Sequence, residues 1–244
     1  MTRHYFSTLC TGLLAGAFAL IQPCLGEPAA APETPVTRQL RDIIIPNIAF
    51  DDITLEEASS FFEMRSGELA ADKKPLKIEI EAMENSPPRI DSLRMSAVPL
   101  GVVLAYVAEM THTRLQVAAD RVRFVAVKPG DAGGAKAADF ANAKAAPVSD
   151  PKTIVIPTVD FEDVTLEESL DFVRMRSREL DSAGQRGINI VILADAAKVK
   201  HITDLNLKAV TVKALLEAIA KASDTQVVFG SQAVEFRPLP EKAK

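Results

Sequence analysis

Carboxylates recur in one pattern at two places: Asp52, Glu56 and Glu57, then Asp163, Glu167 and Glu168. Two carboxyl groups held close together can share general acid and base work. The neighbouring residues point elsewhere. Thr54 stands three positions before Glu57, and Thr165 three before Glu168. That spacing is a capping box, in which the hydroxyl and the carboxylate each satisfy a free amide at a helix start. Acids in a first turn also suit the helix dipole. Thr54, Glu57, Thr165 and Glu168 are therefore assigned as structural helix caps.

No other constellation supplies chemistry. His4, His112 and His201 occupy unrelated places, and no Cys, His or Asp cluster has metal-ligand spacing. No nucleophile elbow, phosphate-cradling loop or dinucleotide fingerprint occurs in the chain. The expectation is a protein that is not an enzyme, with no catalytic, cofactor-binding or metal-binding residue. One repeated feature suits binding instead. Phe61, Met64 and Arg65, and again Phe172, Met175 and Arg176, fall on the flank and back of a helix whose core stripe lies elsewhere. These six are the candidate partner-contact residues, against the alternative that the buried stripe is simply wide.

The elements that carry these residues are written twice. Residues 43–69 and 154–180 match at an offset of 111, with fifteen of twenty-seven positions identical. Residues 89–127 match 201–239 at an offset of 112. In the later copy a β-rich run from Ile154 to Phe161 precedes the capped helix, whose stripe includes Leu166, Leu170 and Val173. Strands follow at 188–193 and 202–208, then a helix with Val212, Leu215, Leu216 and Ile219 on one face. A hairpin around Gly230-Ser231 closes the unit. The expected fold class is α+β: two tandem copies of a two-layer β-α-β-β-α-β-β sandwich. The expected organisation is a signal peptide at 1–26, a flexible N-terminus at 27–37, domains at 38–128 and 152–240, and a linker at 129–151 rich in Ala, Gly, Asp and Lys.

The first 26 residues have the order of a secretory signal: Arg3, the apolar run Leu13 to Ile21, then small residues at Cys24 and Gly26. Cleavage after Gly26 implies a periplasmic or secreted protein, not integral to a membrane. A lipoprotein modified at Cys24 is the weaker alternative, because Ile21-Gln22-Pro23 fits a lipobox badly. The net charge of −5 disfavours nucleic acid and anionic lipid as partners.

The run Leu205-Asn206-Leu207-Lys208-Ala209-Val210, the helix core Leu215, Leu216 and Ile219, and the closing hairpin resemble the short N-terminal domain shared by secretins and TonB-dependent receptors (the STN or N0 domain). The first copy matches with Leu93 to Val98, then Val103, Leu104 and Val107. The resemblance implies a periplasmic interaction module without catalytic residues or cofactors. It implies envelope proteins as partners, secretin or TonB-system components among them. No pore or receptor barrel follows residue 240, so the expected role is a free-standing adaptor in the cell envelope. The alternatives are a self-associating structural component of a secretion or outer-membrane complex, and a periplasmic small-ligand binder with a pocket between the copies.

Overall fold

Capped helix starts and apolar alternation produce one order of elements twice. The computed structural model describes residues 33–81, 87–128, 133–142, 145, 149–182, 187–195 and 199–240. The signal peptide expected at residues 1–26 lies outside the described residues. In the first half, β1 (Ile44–Thr54), α2 (Leu55–Leu69), β2 (Ile78–Ile80), β3 (Arg89–Pro99), α3 (Leu100–Met110), β4 (Thr113–Val117) and β5 (Val122–Ala126) follow a leading helix α1 (Pro35–Asp42). In the second, β6 (Val155–Val164), α4 (Leu166–Leu180), β7 (Ile190–Ile192), β8 (Ile202–Thr211), α5 (Val212–Ala222), β9 (Thr225–Phe229) and β10 (Val234–Pro238) repeat the series. The fold is mixed α+β.

Even the irregular backbone recurs. Asp52 and Asp163, Ala97 and Ala209, and His112 and Asp224 all have φ between 49° and 53°. Residues other than glycine rarely take this left-handed conformation, so three matched pairs are a shared local geometry. The Leu100 amide donates to the Ile43 carbonyl at 2.8 Å, as the Val212 amide does to Ile154 at 2.9 Å.

The strands do not form one sheet per half. In the first half β1 pairs with β3, while β2, β5 and β4 form a separate three-stranded sheet. In the second, β6 pairs with β8, and β7, β10 and β9 stand apart. The helices contact both groups: α4 meets β6 and β7, and α5 meets β8 and β9. A helix pair that buries apolar surface toward two sheets cannot lie on one face of one sheet. The single two-layer sandwich expected of each copy is corrected accordingly. One antiparallel bridge, Arg94 to Ile190, links β3 to β7 and makes a five-stranded sheet, β1-β3-β7-β10-β9, shared by the halves.

Two segments expected to be extended or mobile are docked. Thr34 caps α1 and Pro35 occupies its first turn, where a missing N–H costs nothing; Val36 and Leu40 are buried. Residues 33–37 are thus ordered, and 27–32 lie outside the described residues. Part of the 129–151 stretch packs on the first half. The Ala135 amide donates to Leu115 on β4 at 2.9 Å. A short turn of 3₁₀ helix (Ala137–Phe140) then delivers Phe140 into the first half's core. Gly101 on α3 makes room, since a Cβ there would stand 2.4 Å from the Phe140 ring.

Candidate functional site: the seam between the halves

The repeated carboxylates sit at helix starts. The Thr54 amide donates to Glu57 Oε2 at 2.8 Å, and the Glu57 amide donates to Thr54 Oγ1 at 3.2 Å. Thr165 and Glu168 do the same at 2.8 and 3.2 Å. The backbone amide and hydroxyl of each threonine hold the partner carboxylate below the usual glutamate range. An acceptor tied up in this way is a poor general base. Asp52 receives Arg89 Nε at 2.7 Å, and Asp163 lies 3.3 Å from the His201 ring.

The six candidate contact residues divide by type. Phe61 meets Phe50 and Phe62 edge to face, at 5.2 and 5.5 Å between centroids. Phe172 meets Phe161 at 5.2 Å. Both rings are half-buried and widen the helix stripe. Met64 and Met175 are 55% and 53% exposed. Arg65 pairs with Glu68 and Arg176 with Glu179 along their own helices. The structure places the two trios on separate helices. Met175 lines a groove against β1 and β3, whereas Met64 lies beside Gly67 and Pro75.

The densest polar chemistry lies where the halves meet. Arg94 on β3 reaches Asp51 at 2.7 Å, and Glu167 and Asp171 on α4 at 3.3 and 3.5 Å. The Asn189 carboxamide reads the Ser96 backbone twice: its oxygen accepts from the Ser96 amide at 2.8 Å, and its nitrogen donates to the Ser96 carbonyl at 3.0 Å. The Tyr106 hydroxyl donates to Glu235 at 2.8 Å. Burial, then this bond and the Glu235 charge, push the phenol well above its ordinary value. Arg237 bridges Glu109 and Glu235. Arg174 donates to the Ile190 carbonyl at 2.9 Å; burial draws its guanidinium down, and Asp171 opposes this. Val191 and Ala233, from the second half, are buried in the first half's core.

A cleft of about 320 Å³ opens along this seam, lined among others by Arg89, Glu109, His112, Glu167, Lys200 and His201. Five of these six are already paired: Arg89 with Asp52, Glu109 with Arg237, Glu167 with Arg94, Lys200 with Asp224, and His201 with Asp163. Among the described residues no group of three His, Cys, Asp or Glu could hold a metal ion. Nor is any helix there long and apolar enough to cross a membrane. Sequence reasoning missed the seam residues. Their signal is that Arg94, Tyr106 and Asn189 differ from Asn206, Ala218 and Lys77 at the matching places. In comparison with known proteins, no family model, no curated protein and no solved structure matches the chain.

Proposed function

We infer that the chain is an exported, non-enzymatic protein-binding module: two copies of a small α+β domain of the STN or N0 kind, joined as an adaptor in the cell envelope. The observation that carries this is the free strand edge. Among the described residues, β8 pairs with β6 alone and β9 with β10 alone. Each therefore offers a row of backbone amides and carbonyls on which a partner strand can add. Beside these rows lie half-buried Leu205 and Leu207 on β8, and Phe229 on β9, 36% exposed. The charged groups of the cleft, by contrast, are mostly engaged with one another, which suits a joint better than a reaction centre.

The test is photo-crosslinking in the native envelope, with the reactive residue placed at 206 or 208 on β8, at 226 or 228 on β9, and at 217 on the outer face of α5 as a control. Discrete protein adducts from a strand edge but not from the helix are expected. Absence of adducts from both edges sinks the adaptor reading. A small-ligand binder is the second reading, favoured only by the cleft at the seam. It expects activity in the envelope to be lost when Ser92→Trp fills the cleft, with both edges left intact.

A further inference from the structure

The seam joins two unlike surfaces. The first half contributes the outer edge of β3 with α3; the second contributes β7, α4 and the start of β10. When repeated units meet through unlike surfaces, one surface of each kind is left over. Here the leftovers are β8, the counterpart of β3, and β2, the counterpart of β7.

The β2 surface is closed by charge. The Val122 amide donates to the Lys77 carbonyl as Val234 does to Asn189, and Glu81 donates to Phe124 as Leu193 does to Phe236. These bonds fix the correspondence. Lys77, Glu79 and Glu81 thus stand where Asn189, Val191 and Leu193 face the seam, and Arg121 replaces Ala233. Arg121 and Lys77 both pair with Glu79. The Ile78 amide on this edge is taken by Glu63 Oε1 at 2.7 Å. Charged side chains and a satisfied amide are what keep an edge strand from accepting another.

The β8 surface is open. Leu205 and Leu207 are half-buried, whereas Leu93 and Met95 at the matching places on β3 are each 1% exposed. Asp204 is exposed where Ser92 is buried. What β3 receives and β8 lacks, among the described residues, is a neighbouring domain. The key recognition of β3 is also independent of its side chains: Asn189 binds the backbone of Ser96, and Lys208, its counterpart, offers the same amide and carbonyl.

We propose that β8 docks one further domain of this same fold, carried by a different polypeptide whose β7-like strand presents an amide and small apolar residues, and that the charged β2 face bars a second copy of this chain from that place. The chain then ends a row of such domains on one side and extends it on the other. This deepens the adaptor reading and rests on it.

The chain itself can supply the probe. Lys77→Asn, Glu79→Val and Arg121→Ala together give three of the four charged positions of the β2 face the residues found on the β7 face. By sedimentation velocity, the full-length triple variant should form concentration-dependent head-to-tail oligomers, while the unaltered chain stays monomeric. Adding Leu207→Lys on β8 should return the variant to monomer. A triple variant that is folded by circular dichroism yet monomeric overturns the proposal. So do variant oligomers indifferent to Leu207→Lys, or an unaltered chain that oligomerises through β8. If the triple variant fails to fold, Glu79→Val alone is read the same way, with a weaker but Leu207-dependent shift expected. None of these outcomes bears on the envelope crosslinks, so the adaptor reading stands or falls separately.

Discussion

Glu57 and Glu168 each accept a backbone amide and a hydroxyl from the threonine three residues earlier. Those bonds favour the charged form and lower both folded-state pKa values. A depressed carboxylate contributes stability that is present above the unfolded value of about 4.3 and lost as pH falls through the folded value. Thr165→Ala should cost roughly 0.5–2 kcal/mol at neutral pH by urea unfolding, and less in acid, where Glu168 is neutral. An equal cost at neutral pH and in acid strong enough to protonate Glu168 in the folded state would contradict the carboxylate's share in the cap. The caps were legible from sequence because both partners lie within one turn. The Arg89–Asp52 pair was not, since it needs β1 laid against β3, and its counterpart has His201 in place of arginine. The spacing puts Phe61 and Phe172 on the helix flank, and their rings turn to Phe50 and Phe161, eleven residues earlier on the strand. Periodicity along one element says nothing of what lies across from it.

Helices α3 and α5 occupy matching places yet live in different surroundings. Every residue from Leu100 to Ala108 is buried, whereas α5 exposes Lys221 and Glu217. The difference is cover: α1 and the 3₁₀ turn pack on α3. Nothing in the alanine-rich stretch after residue 129 repeats at a helical or strand period, so its docking, through the Ala135 amide, the Phe140 ring and hydrogen bonds between Arg41 and Asp139 and Asn142, left no pattern to read. Phe140, alone among small and charged neighbours, was the only mark. At the other end, Thr34-Pro35 was a cap signal outweighed by the surrounding prolines and alanines. The docked turn makes a sharp prediction. A methyl group at Gly101 would stand 2.4 Å from Phe140, so Gly101→Ala should release the segment and not deform the buried helix. Amide exchange at Ala135 should rise at least tenfold, with the strands of the second half unchanged. Unaltered protection of Ala135 would mean that the ring finds room elsewhere and the niche is not specific.

The seam is invisible to any comparison that looks for likeness, because it is built where the two copies differ. Arg94, Tyr106, Asn189 and Val191 have Asn206, Ala218, Lys77 and Glu79 as counterparts. Duplication could be read from matched residues, and the joint only from mismatched ones. The joint also has a spectroscopic handle. The chain has two tyrosines, Tyr5 and Tyr106, and Tyr5 falls in the stretch proposed to be removed on export, so a chain beginning at Glu27 reports on the seam alone. Burial and the bond to Glu235 raise the Tyr106 pKa far above its ordinary value near 10. A phenol raised in the folded state contributes stability that is complete below about pH 10 and lost as pH rises, because the unfolded chain ionises first. Tyrosinate absorbance should therefore not follow a simple titration near pH 10; it should appear together with a loss of structure at higher pH. Tyr106→Phe removes the alkaline step, and it leaves Glu235 paired only with Arg237, two residues further along β10. If Tyr106 ionises near pH 10 while circular dichroism and sedimentation stay constant, the phenol is not held in the joint, and the halves are not locked there.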